Sequence, residues 1–162
     1  MNAERLFVRD ATRADLPRMG ELAEALVRYH HELDPRRFFM PDRVAEGYRW
    51  WFGRELDDSD ALLLVATEGE GGAVLGYAYG RVEAKDWNQL LDRHAALHDI
   101  LVDASARLRG VAEALLDGFV ARVRDRGVPR VVLHTAVQNE RAQSLFKKVG
   151  FRPTMIEMTL DL

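Results

Sequence analysis

The segment HDILVDASARLRGVA, residues 98–112, decides how the rest of the chain is interpreted. Its apolar residues 100–102 predict a short strand. Gly110 then precedes a long stretch with an apolar stripe at helical spacing, which predicts an amphipathic helix. A strand therefore enters a turn, and the turn opens a helix.

The turn has the features of an anion site. A helix start presents free backbone N–H groups and the positive end of the helix dipole. Gly110 and Ala112 leave that backbone accessible, and Arg107 and Arg109 bring positive charge beside it. The pattern predicts either a phosphate-binding turn or a tightly packed turn with solvated arginines. The glycine motifs of dinucleotide-binding and P-loop proteins are absent.

Outside this segment, helices and strands alternate along the chain. Hydrophobic periodicity predicts the order β α α β β β α β α β. The strands are expected at 6–11, 61–68, 73–82, 97–102, 130–136 and 155–162. The helices are expected from 12 to about 31, from about 41, after Gly110 and at 139–149. This order predicts an α/β (α+β) domain covering 1–162, with a central mixed β-sheet flanked by helices on both faces.

Composition excludes several classes of function. The 162 residues carry a net charge of −3, which argues against general nucleic-acid binding. The chain has no cysteine, so disulfides, thiolate metal sites and a cysteine nucleophile are excluded. The first residues lack the apolar core of a signal peptide, and the longest apolar run, 61–66, is far too short to cross a membrane. We therefore expect a cytoplasmic protein without membrane contact.

Two motifs in register resemble the GNAT superfamily of N-acetyltransferases. Arg107-x-x-Gly110-x-Ala112 after a strand is similar to that family's R/Q-x-x-G-x-G/A motif. Asn139-x-x-Ala followed by Gly150-Phe151 is similar to its N-x-x-A…G-F segment. The order of elements also matches, so the resemblance covers nearly the whole chain.

The resemblance implies that acetyl-CoA is the cosubstrate. In such proteins the turn and helix start wrap the coenzyme pyrophosphate, and the preceding strand pairs with the pantetheine arm. A backbone N–H of that strand would stabilise the tetrahedral oxyanion. The implied coenzyme-binding residues are Ile100, Leu101, Val102, Arg107, Leu108, Arg109, Gly110, Val111, Ala112, Asn139 and Phe146.

The resemblance leaves the acid and the base of the reaction open. Many family members carry a tyrosine at the position of Phe146, which has no proton to give, and Tyr48 and Tyr79 are the substitutes considered. His98 stands where relatives often have glutamate, and Asp99 follows it, so both are candidate catalytic residues. His98 is either a base or a hydrogen-bonded residue at a strand end. Strand alternation places Asp99 on the opposite face from His98.

The expected function is transfer of acetyl from acetyl-CoA to a primary amine by direct attack in a ternary complex. The alternative is a catalytically weakened acyl-CoA-binding sensor or interaction protein of the same fold. The acceptor would be a small-molecule or peptide amine. A homodimer agrees with the resemblance, although no sequence pattern identifies an interface. No metal is expected, because the adjacent His30 and His31 do not converge as an i, i+4 pair would.

Overall fold

The computed structural model describes residues 6–162, so residues 1–5 of the predicted domain, including those examined for a signal peptide, lie outside the described part. The strands are β1 (Leu6–Asp10), β2 (Ala61–Glu68), β3 (Val74–Glu83), β4 (His94–Val102) and β5 (Val131–Leu133). The α-helices are α1 (Leu16–Leu33), α2 (Val44–Glu55), α3 (Val111–Asp125) and α4 (Glu140–Val149). No helix within residues 6–162 is both long and apolar enough to cross a membrane.

The strands form one mixed sheet in the order β1-β2-β3-β4-β5. Neighbouring strands from β1 to β4 run antiparallel, and β4 and β5 run parallel. The parallel pair requires a crossover, which α3 supplies by packing across the sheet on its way from β4 to β5. The mixed sheet predicted from the order of elements is therefore confirmed.

The sheet has a hydrophobic core on each face. Alternate residues of β2 divide between them, because side chains along a strand point to opposite faces. Leu62 and Leu64 pack with Leu115 and Phe119 of α3. Leu63 and Val65 belong to the second core, formed with α1 and α2. The helices therefore cover both faces, as expected.

The structure differs from the sequence prediction after α4. Residues 155–162 alternate between apolar and polar side chains, but they form no strand and remain exposed. The prediction of a terminal strand in this chain was wrong, because a strand requires a pairing partner and none of the described strands provides one. β5 is also shorter than the predicted 130–136, and β4 begins three residues before the predicted Leu97.

Candidate active site

β4 and β5 pair over only part of the length of β4. The whole of β4 is hydrogen-bonded to β3, from His94 opposite Glu83 to Val102 opposite Gly76. Its ladder with β5 stops at Leu97, which pairs with Leu133. Within residues 6–162, the stretch 98–102 therefore has no strand neighbour on its β5 side. Its backbone N–H and C=O groups on that edge are available to an extended ligand.

A β-bulge lies where the two strands separate. Tyr79 is opposite Asp99, but the next β3 residue, Gly80, is opposite Leu97, so His98 is the extra residue in the ladder. His98 and Asp99 consequently line the same cavity. The prediction that strand alternation separates these two side chains was wrong, because a bulge re-aims a side chain that regular pleating would send to the other face.

The cavity that receives both side chains has a volume of about 620 Å³ and lies between β4 and the two N-terminal helices. Its walls are mainly apolar and aromatic, which suits a small organic ligand. The wall residues include Leu26, Val27, His30, Phe38, Phe39, Tyr48, Trp51 and His134. The aromatic residues Phe38, Phe39 and Trp51 are interpretable from the sequence as either core or cleft wall, and the structure places them in the cavity wall. That they meet in one cavity is not evident from the sequence, since they come from segments far apart from β4 in the chain.

Asp99 is the most strongly perturbed carboxyl group in this cavity. Burial raises the pKa of Asp99 from 3.8 to about 6, although the hydrogen bond from Tyr77 opposes that rise. The Tyr77 hydroxyl donates to Asp99 Oδ2 at 3.1 Å. Tyr77 is completely buried, and its pKa is raised well above 10.0, chiefly by burial and then by Asp99. The hydroxyl therefore remains a donor that orients the carboxylate.

His98 has different surroundings. Its ring stacks on Tyr79 with centroids 5.5 Å apart, and its Nε2 lies 3.6 Å from Glu83 Oε1. The imidazole is exposed and lines the cavity. His98 thus has both a structural contact and access to a ligand.

The two tyrosines considered as acids have separate locations. Tyr48 lines the cavity, and its pKa is raised by burial and by the charge of Asp99. The Tyr79 hydroxyl instead donates to Glu55 Oε2 at 2.7 Å and is fully buried. Glu55 also binds Arg81, at 2.5 Å. Tyr79 therefore belongs to a buried polar network, and only Tyr48 of the pair lines the cavity.

The turn after β4 forms an open helix start. Gly110 has a φ of +78°, directly before the first residue of α3, and no atom lies within 4 Å of where its Cβ would be. The start of α3 has no side-chain cap. Its first N–H groups are therefore free to meet an anion. The predicted sequence of strand, turn and helix is therefore present, and binding of a phosphate at this turn stays a prediction.

The two arginines of the turn differ in their contacts. Arg109 forms an ion pair with Glu68 at 2.5 Å. Arg107 is exposed and has no ion pair with any residue of the described chain. Asp103 shapes the turn, since its Oδ1 accepts hydrogen bonds from the N–H of Ser105 at 2.8 Å and from its hydroxyl at 2.5 Å. Arg107 is thus the arginine available to a ligand.

Asn139 and Phe146 have structural roles in α4. The Asn139 side chain caps the helix by accepting the N–H of Ala142 at 3.2 Å. The Tyr29 hydroxyl also lies 3.4 Å from Asn139 Oδ1. Phe146 is only 7% exposed and packs edge-on against Phe151, within the core. Contact of Asn139 or Phe146 with a coenzyme stays a prediction.

Tyr77 is the site residue that the sequence prediction missed. The alternation of β3 puts Tyr77 and Tyr79 on one face, and this signal was available. The choice of Tyr77 as the partner of Asp99 depends on the register of β3 against β4, and sequence periodicity does not specify that register.

Comparison with known families agrees with this architecture. The sequence model of the Acetyltransferase (GNAT) family matches residues 21–151. The mycothiol acetyltransferase of Beutenbergia cavernae is 31% identical over 115 residues, which are 70% of this chain and 34% of that protein. The D-amino-acid N-acetyltransferase HPA3 of Saccharomyces cerevisiae is 29% identical over 114 residues, 70% of this chain and 68% of that protein. The chain thus spans about a third of the length of the mycothiol enzyme.

Solved structures share the fold. A tetramutant of the BH1408 protein from Bacillus halodurans superposes with a TM-score of 0.83 at 18% identity, covering 96% of this chain and 99% of that one. AAC(6')-Iy in complex with the bisubstrate analog CoA-S-monomethyl-acetylneamine superposes with a TM-score of 0.73 at 19% identity, covering 98% of each chain. At these identities the likeness shows the fold alone.

Proposed function

The chain belongs to the Acetyltransferase (GNAT) family, and on that premise we propose that it transfers acetyl from acetyl-CoA to a primary amine by direct attack in a ternary complex. One observation carries the proposal. The unpaired edge at 98–102 adjoins the open start of α3 on one side and the cavity with Asp99 on the other. A single extended ligand along this edge would have its phosphates at the helix and its reactive end near the cavity.

The described residues fit the coenzyme. Free N–H groups at α3 and the exposed Arg107 would bind the pyrophosphate, because an anion is favoured at a helix start. The edge of 98–102 would pair with the pantetheine amides as a strand pairs with a neighbour. A backbone N–H within 100–102 would donate to the oxyanion as it develops. The bound thioester supplies the activated acetyl group.

The acceptor amine must lose a proton to react. An α-amino group has a pKa of about 8 and a lysine side chain about 10.4, so both are mostly protonated at neutral pH. Asp99, with a pKa of about 6, lies in the cavity in an oriented position and would accept that proton. His98 is the second candidate base, acting directly or through water.

Direct transfer is the economical route in this chain. Acetyl cannot rest on a cysteine, because there is none. The leaving thiolate has a conjugate acid of pKa about 8.5 and departs readily. Phe146 has no proton to donate to it, so Tyr48 or water would supply one.

The aromatic cavity favours an acceptor with an apolar body, of small-molecule size or a peptide terminus. We propose D-amino acids with apolar side chains as the first members of a test panel, with an aminoglycoside as the polar comparison.

A second candidate function is a sensor that binds acyl-CoA without turnover. The observation in its favour is Phe146, which is buried in the core. Phenylalanine lacks the hydroxyl that many family members have at this position. Calorimetric titration with acetyl-CoA, followed by thiol release with the amine panel, separates the two. Binding together with release supports the enzyme, and binding without release for any amine supports the sensor.

The placement of the coenzyme is tested by Gly110→Glu, which puts a carboxylate where a phosphate would bind. We expect acetyl-CoA binding to be lost while the circular dichroism spectrum is unchanged. Gly110→Ala is the matched control, because it imposes the same strain at a φ of +78° without the charge. Equal affinity of the two folded variants would refute the placement.

A further inference from the structure

The cavity between β4 and the N-terminal helices carries charged groups of both signs on an otherwise apolar wall. Asp99 is the carboxylate proposed to meet the acceptor amine, and the Tyr77 hydroxyl orients it at 3.1 Å. Arg37 and Arg43, from the segment between α1 and α2, also line the cavity. An acceptor with a carboxylate beside its amine would need one of these cations as a partner. The contacts of the two arginines therefore bear on which amines the cavity accepts.

Both arginines are already paired with carboxylates of the chain. Arg37 donates from Nε and Nη2 to the two carboxylate oxygens of Glu157, the second bond being 2.9 Å long. The Arg37 guanidinium also lies over the Phe38 ring, 5.0 Å from its centroid. Arg43 donates to Glu46 from Nε at 2.7 Å and from Nη2 at 2.6 Å. In each pair a carboxylate neutralises the guanidinium and occupies its Nε edge, so the charge that would attract a carboxylate of the acceptor is largely cancelled.

The histidines of the wall are engaged in a similar way. His30 Nδ1 lies 2.9 Å from the backbone oxygen of Leu26. His98 Nε2 lies 3.6 Å from Glu83 Oε1. His134 acts on the same carboxylate as Arg37, because the pKa of Glu157 is lowered chiefly by Arg37 and also by His134. The groups that could carry positive charge in this wall therefore face acceptors that belong to the chain.

A carboxylate on the acceptor would also be repelled by the cavity. In an α-amino acid the amine and the carboxylate share one carbon atom, so an amine at Asp99 brings the two carboxylates within a few ångströms of each other. Like charges at such a distance repel strongly away from bulk water. Asp42 is a further carboxylate in the same wall. An acceptor carboxylate would thus lose its water, meet two negative groups and find the cavity arginines occupied.

We propose that the acceptor is an apolar primary amine that carries no carboxylate, and that Glu157 excludes amino acids by holding Arg37. Glu157 is then a specificity-determining residue, contributed by the segment that follows α4. This inference rests on the proposed function, because it concerns the acceptor of that reaction. Within the panel named above, a D-amino acid should be a poorer acceptor than the amine that lacks its carboxylate.

The first test compares three matched compounds by the rate of thiol release from acetyl-CoA. They are 2-phenylethylamine, D-phenylalanine and D-phenylalaninamide, and each rate is referred to the concentration of neutral amine. The kcat/KM of D-phenylalanine should be lower than that of 2-phenylethylamine by about tenfold or more, because its carboxylate is buried without a free partner. D-phenylalaninamide has the same bulk without the charge and should stay close to 2-phenylethylamine. Equal values for the acid and the amine, or an amide as poor as the acid, overturn the proposal.

The second test releases Arg37. Glu157→Gln removes the carboxylate from this arginine, so the kcat/KM of D-phenylalanine relative to 2-phenylethylamine should rise by about tenfold, as expected for a newly available ionic partner. Asp161→Asn is the matched control, because it takes a carboxylate in the same segment away from Arg36, which is not among the residues lining the cavity. The control should leave the ratio unchanged. An unchanged ratio in Glu157→Gln, or an equal rise in Asp161→Asn, overturns the role of Glu157.

Calorimetric titration of the same compounds into the full chain with added coenzyme A separates this inference from the proposed reaction. Tighter binding of 2-phenylethylamine than of D-phenylalanine, without thiol release from acetyl-CoA, would refute acetyl transfer and support the selectivity. Thiol release that is as fast with D-phenylalanine as with 2-phenylethylamine would support acetyl transfer and refute the selectivity. Neither binding nor release with any of the three compounds would overturn both.

Discussion

The substitution Asp99→Asn separates the proposed role of Asp99 as a base from its effect on the stability of the fold. Asparagine keeps the shape of the side chain and an oxygen that accepts the Tyr77 hydrogen bond, but it cannot take a proton from an amine. If Asp99 is the base, kcat/KM should fall by about 10²- to 10⁴-fold. The rise of kcat/KM through pH 6, where the Asp99 carboxyl loses its proton, should also disappear.

The same substitution should make the fold more stable at neutral pH. The folded protein holds the Asp99 proton with a pKa of about 6, against 3.8 for the carboxyl in the unfolded chain. Between these values the folded state binds more protons, so its stability falls as pH rises from about 4 to 6. The difference in pKa corresponds to at most about 3 kcal/mol. Asparagine cannot ionise, so the variant avoids this loss above pH 6.

Thermal unfolding of wild type and variant at pH 4 and pH 7.5 measures the effect. At pH 7.5 the variant should melt higher by up to roughly 5–10 °C, and this gain should be much smaller at pH 4. His98→Gln is the control, since it changes the neighbouring side chain and keeps the Asp99 carboxyl. The reasoning is refuted if the melting temperature of Asp99→Asn, relative to wild type, is no higher at pH 7.5 than at pH 4. It is also refuted if the variant keeps the rise of kcat/KM through pH 6.

Three further changes test the packing around the site by urea unfolding. Asn139→Ala should cost about 1 kcal/mol, because α4 loses the side-chain acceptor of its N-terminal N–H; no loss would contradict the capping role. Gly80→Ala should cost about 1–3 kcal/mol, because its Cβ would lie 2.3 Å from a backbone oxygen of β4. Gly47→Ala, with nothing within 4 Å, is its control and should cost nothing. Glu55→Gln should cost roughly 2 kcal/mol, because Arg81 loses a buried carboxylate, and an unchanged unfolding midpoint would exclude that pairing as a source of stability.

Much of the fold could be predicted from local patterns. The apolar stripe of α3 and the two strands of the β2–β3 hairpin lie where hydrophobic periodicity predicts them. These elements have long, regular patterns, and each buries one face or stripe against a core that needs it. Residues 155–162 have an equally regular pattern, yet they form no strand. Alternation describes which side chains could be buried together, and a strand also requires a neighbour whose position lies outside the segment.

One part of the candidate site could be predicted from the sequence, and another part could not. The open turn before α3 could be predicted, because Gly110 and the start of α3 are adjacent in sequence and the free N–H groups belong to the backbone. The cavity could not, because its walls come from α1, α2 and β4. The bulge at His98 brings that residue and Asp99 to one side, against the rule of alternation.

The sequence by itself therefore determined the family resemblance, the order of elements through α4 and the turn at Gly110, all of which depend on short-range spacing. Tertiary structure decided the rest. It set the register of β3 on β4 that joins Tyr77 to Asp99, the burial that raises the pKa of that carboxyl, and the separation of β4 from β5. Each of these depends on distances between residues far apart in the chain, and hydrophobic periodicity carries no information about such distances.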